Sequence, residues 1–363
     1  MNKRAFSNYL IISILILGLF ACSNNNLLGN SADKTPAVEP EATTIHADAI
    51  VEHALIEIPL PDSIASASME YSGLAWYGEA LILLPQYPNG MYGNQDGFLY
   101  AIDQEDLSAF LIDPSTELPV NAIAFDDAGL SKQLDGFEGF EAIVFIEDSV
   151  YLTIETQGGN PMKSFVVKGM VESDGNEIKS IQLDGSSLVE LTVQNNNSNA
   201  SYEALTSDGE FIYAFFEQNG EEQNQRPYAV KLDSDLENWQ EVPVDFINYR
   251  LTDATLMDKG GGFWVINYFF PGDTHLEVDE DPISTSFGLG DTHQKNKPVE
   301  RLVKLIFTQE GFFLSEEPPL YLQLLNNDEA RNWEGIVLLD NLGFLLISDS
   351  FPGTLLGFCP ILR

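Results

Sequence analysis

One pattern constrains this chain more than any other feature, because it returns five times. A small or acidic residue opens an apolar stretch, a turn follows, and a second apolar stretch closes on a polar or acidic residue. The copies run from Tyr71-Ser72-Gly73-Leu74 to Leu84-Pro85-Gln86, from Phe140-Glu141-Ala142-Ile143 to Thr153-Ile154-Glu155, and from Tyr202-Glu203-Ala204-Leu205 to Phe215-Phe216-Glu217. Two more run from Thr252-Asp253-Ala254-Thr255 to Val265-Ile266-Asn267 and from Trp333-Glu334-Gly335-Ile336 to Ile347-Ser348-Asp349. The two polar positions are 14 residues apart in the first four copies and 15 in the fifth. Turn formers stand between the apolar stretches, such as Ser207-Asp208-Gly209 and Asp340-Asn341-Leu342-Gly343. Two short strands joined this way form a β-hairpin. Its opening and closing residues then lie side by side, so each copy sets a polar pair at the same end of its hairpin.

More strand-like stretches follow each hairpin: 97–102, 164–171 with 178–183, 228–232, and 301–308 with 320–325. The successive repeats are spaced 69, 62, 50 and 81 residues apart, too unevenly for a solenoid. Radial repetition of four-stranded sheets gives an all-β fold, a β-propeller. Five blades are counted, and a sixth, degenerate one has room between Leu99 and Ala128. Residues 54–60 are expected to join the last blade beside 355–359, closing the ring and hiding an edge. A β-sandwich is the alternative fold.

The start of the chain reads as an address. Lys3 and Arg4 precede an apolar run from Leu10 to Phe20, shorter than the stretch of about 20 apolar residues a spanning helix needs. Leu19-Phe20-Ala21-Cys22 resembles a lipobox, so residues 1–21 are expected to be a lipoprotein signal peptide and Cys22 the lipidated residue. Residues 22–50, poor in large apolar side chains, are expected to form a flexible tether, and 51–363 the propeller. The protein is thus expected in the cell envelope, held to a membrane by its N-terminal lipid (palmitate among the acyl chains). Ser23 favours the outer membrane where the cell has one. Cys359 is the other cysteine, so no intrachain disulfide is available once Cys22 is lipidated.

The formal net charge is −39. Such a field repels nucleic acid and anionic lipid and attracts cations, which removes nucleic acid as a partner. Solubility, adaptation to salt and divalent-cation binding all fit that charge. With first strands innermost, one polar pair per blade points to one mouth of the channel, and the acids there are Glu141, Glu155, Glu203, Glu217, Asp253, Glu334 and Asp349, with Glu138 just upstream. An all-oxygen cluster suits a hard cation such as calcium. A metal-bound water, or a carboxylate with a raised pKa, can serve as a base. Glu141 and Glu334 are the expected catalytic carboxylates. Glu138, Glu155, Glu203, Glu217, Asp253 and Asp349 are the expected metal ligands. Arg250 and Arg331, each three residues before a repeat acid, can grip an anionic substrate or pair the acid. In the competing reading each polar pair only bonds neighbouring blades.

Other chemistries find less support. There is no G-x-S-x-G elbow, and none of the four histidines stands beside a repeat: His46 and His53 belong to the tether region, His275 and His293 to the long insertion 271–298. That insertion reads as a rim loop, either a lid or solvated acid.

Glu70-Tyr-Ser-Gly-Leu-Ala-Trp-Tyr-Gly-Glu, Gly136-Phe-Glu-Gly-Phe-Glu-Ala-Ile and Asn332-Trp-Glu-Gly-Ile-Val-Leu-Leu-Asp-Asn-Leu-Gly-Phe-Leu-Leu-Ile-Ser-Asp resemble the phytase-like "esterase-like activity of phytase" propeller family, across most of 68–358. The resemblance implies a propeller related to calcium-dependent phytases, with Glu138, Glu141, Glu203 and Glu334 matching acidic family positions. Gln86 and Asn267 stand where the family has acids. The function this implies is calcium-dependent hydrolysis of a small phosphate or carboxylate ester by a monomeric, membrane-anchored propeller. The alternative is a non-catalytic propeller that binds a ligand or protein.

Overall fold

Stretches such as Ala80–Pro85 and Ile212–Phe216 bury nearly every side chain, inward and outward alike. A strand apolar on both faces must be covered on both, and stacked blades do that. The computed structural model, which describes residues 50–91, 93–157, 162–175, 177–325 and 329–361, is a five-bladed β-propeller. The expected signal peptide, Cys22 and nearly all of the tether lie outside the described residues. Among the described residues no helix is long and apolar enough to cross a membrane.

Blade 1 comprises Tyr71–Tyr77, Ala80–Pro85, Gly97–Asp103 and Asn121–Asp126, and blade 2 Phe137–Ile146, Ser149–Thr156, Lys163–Asp174 and Glu177–Leu183. Blade 3 comprises Tyr202–Ser207, Ile212–Phe216, Tyr228–Leu232 and Trp239–Pro243. Blade 4 is built on Arg250–Ala254, Gly262–Phe269, Val299–Phe307 and Leu320–Leu322. Blade 5 has Trp333–Leu339, Gly343–Ser348 and Leu356–Pro360, and takes its outermost strand, Ile56–Ile58, from the N-terminal side. The first strand of each blade packs against that of the next, and blade 5 against blade 1, so the ring closes at five. The stretch with room for a sixth blade holds the outer half of blade 1 and a helix, Gln104–Ile112.

The apolar side chains divide into five principal clusters, one per blade interface. Leu84, Ile143 and Leu152 share the cluster between blades 1 and 2, and Leu74, Val337 and Phe358 that between blades 5 and 1. The remaining three fill the interfaces of blades 2 with 3, 3 with 4, and 4 with 5. The ring is closed by strand pairing as expected: Ile56 pairs with Phe358 and Ile58 with Leu356, antiparallel. Just before it, Glu52–His53 pairs in parallel with Tyr321 and Leu322, so one segment ties blade 4 to blade 5. Blades 1 and 2 are joined as well, through parallel pairing of their outer strands at Ala124–Ser180 and Phe125–Ile181.

Part of the insertion 271–298 is built into the body. Asp281 makes a two-pronged ion pair with the buried Arg301, at 2.5 and 3.1 Å. Glu52 accepts hydrogen bonds from the Thr292 and His293 amides and sits 2.8 Å from His293 Nδ1. His293 is buried. Glu300 donates its amide N–H to His293 Nε2, so Nδ1 carries the proton toward Glu52.

Candidate functional site

Every first hairpin contains a register shift, and it falls at the opening polar residue of the repeat. The shifts lie between Tyr71 and Gly73, Phe140 and Ala142, Tyr202 and Ala204, Leu251 and Ala254, and Trp333 and Gly335. A β-bulge leaves an extra residue unpaired and turns its side chain out of the pleat. Ser72, Glu141, Glu203 and Glu334 are those extra residues. The recurring motif is therefore a recurring bulge at one mouth of the channel.

The second polar position lies across from the residue that precedes the bulge by two. Gln86 donates its amide N–H to Glu70 O, Glu217 to Ser201 O and Asp349 to Asn332 O, while Glu155 is opposite Gly139. Gly139, at φ 132°, has to be glycine: a Cβ there would stand 2.3 Å from the Gln86 side chain.

In blade 4 the expected pair Asp253 and Asn267 is displaced by one residue. Its bulge holds both Thr252 and Asp253, so Arg250 is opposite Tyr268, and the equivalent pair is Thr252 with Tyr268. Thr252 Oγ1 donates to Trp333 O at 2.5 Å just as Ser72 Oγ donates to Phe140 O at 2.5 Å, each stapling a bulge to the next blade. Asn267 turns into the wall, where it accepts from Arg301 Nε at 2.7 Å. Asp253 turns into the channel; it is 1% exposed, and its Oδ2 accepts the Ile336 amide at 2.7 Å. Burial raises its pKa well above the ordinary range, against the pull of the Ile336, Ala254 and Leu74 amides.

The acids of blades 2, 3 and 5 do converge. Burial pushes Glu141 up to about 7, opposed by a 3.0 Å hydrogen bond from Gln86 Nε2 and reinforced by Glu217, Glu138 and Glu70. Burial pushes Glu155 to about 9, with Glu141, Glu217 and Glu138 adding to it. Glu203 and Glu334 are raised well above the carboxylate range, again by burial first, then Glu203 by Glu217 and Glu334 by Asp349. Asp349 is raised by burial although it accepts from Asn332 Nδ2 and the Phe351 amide. The fields that Glu141, Glu155, Glu203 and Glu334 feel from acids of other blades, and that Asp349 exerts on Glu70, gather Glu70, Glu138, Glu141, Glu155, Glu203, Glu217, Glu334 and Asp349 around one basin. Glu141 is 7% exposed and Glu334 only partly buried, so both have access to the channel.

Arg250 faces the same basin. Its Nη1 donates to Glu217 Oε2 at 2.9 Å and its Nε to Asp273 Oδ2 at 3.1 Å, and its charge bears on Glu155, Glu203 and Glu334. The other expected substrate contact, Arg331, is instead part of the wall. It donates through Nε to Glu300 Oε2 at 2.9 Å and through Nη2 to Gln323 O, while Trp333 Nε1 donates to the same Glu300 oxygen.

Several of the expected calcium ligands have protein partners. Glu217 is bonded to Arg250, Asp349 to Asn332 and Asp253 to a main-chain amide, and among the described residues no three acids form a group able to hold a metal ion. What the basin does hold is buried carboxylate oxygen without a partner, at Glu155 Oε1 and Glu203 Oε2. The repeat pattern alone does not mark Glu70 and Tyr87. Glu70 directly precedes the first repeat, and Tyr87, whose hydroxyl burial and the fields of Glu138 and Glu141 push up, directly follows Gln86.

No family model matches the chain, and no curated protein does. Solved structures similar to it include one from the GH130 family of mannoside phosphorylases, a family that contains glycoside hydrolases targeting beta-1,2 mannosidic linkages in Candida mannan. It is 9% identical at a TM-score of 0.44, covering 88% of this chain and 95% of its own. A GH43_1 enzyme from Xanthomonas citri is 10% identical at a TM-score of 0.44, covering 85% and 91%. The soluble aldose sugar dehydrogenase from Escherichia coli is 10% identical at a TM-score of 0.41, covering 82% and 98%. Likeness at this level is one of overall form and carries no chemistry to this chain.

Proposed function

We propose that the acidic mouth is the active site of an ester hydrolase that works by carboxyl acid–base chemistry. The observation that carries this is the pairing of Glu141, pushed up to about 7, with Glu334, raised well above the ordinary carboxylate range, at the border of one basin. General acid–base catalysis needs two such groups with their pKa values pushed apart. In this reading Glu141 takes a proton from a water molecule as its oxygen attacks the acyl carbon. Glu334 gives its proton to the departing alkoxide, and the two groups then re-equilibrate through the basin. Gln86 fixes the Glu141 carboxyl, and Arg250 restrains Glu217. The ester class comes from the sequence resemblance, and the assignment of roles from the burial of the two carboxyls and the direction in which it moves their pKa values.

The same charges weigh against a phosphate ester. Two unit charges 4 Å apart interact by about 4 kcal/mol at an effective dielectric constant of 20. A phosphate would meet such a repulsion from each acid that is ionised, with one guanidinium, itself doubly paired, to offset it. The test is turnover of a chromogenic acetate ester and of the matching phosphate ester by the purified protein, across pH 5–9 and with or without chelator. The expected result is acetate turnover with a bell-shaped pH profile and little phosphate turnover. Absence of turnover of both esters would leave the mouth a binding site only.

A further inference from the structure

We propose that the acidic mouth receives an organic ammonium group, so that the ester hydrolysed there carries a quaternary or protonated amine; this deepens, and rests on, the hydrolase reading. Two exposed aromatic side chains flank the basin at the junction of blades 4 and 5. Phe270 is 39% and Phe351 50% exposed, with ring centroids 6.3 Å apart at 55°. Phe270 lies two residues past Tyr268, and Phe351 two past Asp349, so both continue strands that end at the acidic mouth. The Phe351 amide donates to Asp349 Oδ1 at 2.7 Å, which fixes the aromatic residue beside an acid. Tyr87 and Phe137 form a second ring contact, 6.2 Å between centroids, where the fields of Glu138 and Glu141 reach Tyr87.

Three ligand classes can be weighed on this ground. An inorganic divalent cation would answer the charge, but the coordinating group it requires is not assembled among the described residues, and it has no use for aromatic faces. A neutral sugar would use the faces and leave the charge unanswered. An alkylammonium answers both, since a cation brought into the basin favours the ionised form of acids that burial otherwise keeps protonated. Its charge is spread over a bulky apolar head that needs no tight coordination, and it gains from aromatic faces about 0.5–2 kcal/mol each. The unpartnered oxygens point the same way. Glu203, 5% exposed, keeps Oε2 buried without a partner, as does Glu155, 4% exposed, its Oε1.

Choline is the probe, titrated calorimetrically into the full-length protein at low salt, with potassium chloride at equal ionic strength and glucose as controls. Saturable choline binding is expected, with no comparable displacement by potassium and no heat from glucose. Phe351→Ala and Phe270→Ala should each weaken it about 2- to 30-fold, the range that 0.5–2 kcal/mol converts to. Asp349→Asn should weaken it about tenfold. Unchanged melting temperatures would show that these substitutions leave the fold intact. Displacement by potassium, equal binding of glucose, or affinity unmoved by both phenylalanine variants would overturn the proposal. Turnover of an uncharged acetate ester without choline binding would sink this proposal and leave the hydrolase reading standing. Choline binding without turnover of any ester would sink the hydrolase reading and leave the mouth an ammonium-binding site alone.

Discussion

The two mouths of the channel are made from the same five strands and differ in almost everything else. At one, the bulges aim Glu141, Glu203 and Glu334 into a basin of acids that burial keeps partly protonated. At the other, the far halves of those strands line a cavity of about 250 Å³ with Leu74, Trp76, Phe145, Leu205, Val337 and Leu338, and Leu256 and Leu338 remain 49% and 39% exposed at its edge. The waist between them holds Asp253, buried beside the amide of Ile336. A few residues of one strand therefore carry the lining from carboxyl to hydrocarbon. The change coincides with the bulge, which sets a polar side chain where regular pleating would not. The buried acids of the basin stand at one end, while Asp258 and Thr255 are the polar residues among the lining of the other, and the comparison can be tested at each level.

The largest contrast is catalytic. Glu141→Gln and Glu334→Gln should each lower kcat for the acetate ester by about 10²–10⁴-fold, the usual worth of a positioned acid or base. Leu256→Ser and Leu338→Ser should leave kcat within about twofold. Equal losses at both mouths would mean that the channel acts as one unit and that no such division exists.

The fold is legible in the sequence because blade strands are apolar on both faces and the bulged hairpin recurs at nearly constant spacing. Gln86, Glu155, Glu217 and Asp349 stand where a 14- or 15-residue interval puts them. The interval fails in blade 4 because its bulge holds two residues, and counting by acid type chooses Asp253 where the register chooses Thr252. A lone sequence gives no sign of such a slip, since Thr252-Asp253-Ala254 satisfies the pattern in either frame. Arg331 misleads for a related reason. Its position before Glu334 suggests the mouth, but its partner, Glu300, comes from a distant strand that spacing cannot connect to it. The aromatic pair Phe270 and Phe351 lies beyond the repeat boundaries, where no periodicity marks it. Likewise His293 stands remote from any repeat in the sequence, and Glu52, 241 residues away, supplies its partner only in the fold.

At the waist, Gly335→Ala should destabilise the protein by about 1–3 kcal/mol, the usual range for overpacking. A Cβ there would stand 2.9 Å from Leu74 N and 2.7 Å from the Ile347 side chain, forcing the first strands of blades 5 and 1 apart. Denaturant melts would read this, and a neutral result would mean that the waist yields more than its packing implies.

The acidic mouth should also leave its mark on the pH dependence of stability. Glu141 and Glu155 titrate in the folded chain at about 7 and about 9, against an ordinary value of 4.5. The folded state thus binds more protons than the unfolded state across that window. Stability from these groups is fully present below about 4.5 and is lost as pH rises through 7 and then 9, at about 1.4 kcal/mol per pH unit for each proton held. Glu155→Gln should reduce the slope between pH 7 and 9 and raise the melting temperature at pH 8. A slope unchanged by the substitution would place the proton elsewhere.

The smallest effect belongs to the apolar mouth, and it decides whether that end is a mouth at all. Leu256 is already half in water and Leu338 more than a third. A fully buried leucine contributes about 1.5–3 kcal/mol by removal from water, and truncating one in a core costs more because a cavity remains. Leu256→Ser and Leu338→Ser open no enclosed cavity, so each should destabilise by less than about 1 kcal/mol. A loss above about 2 kcal/mol in a chemical melt would mean that these side chains are packed like core residues. The cavity would then be a defect in the core, and the acidic basin the only true opening of the channel among the described residues.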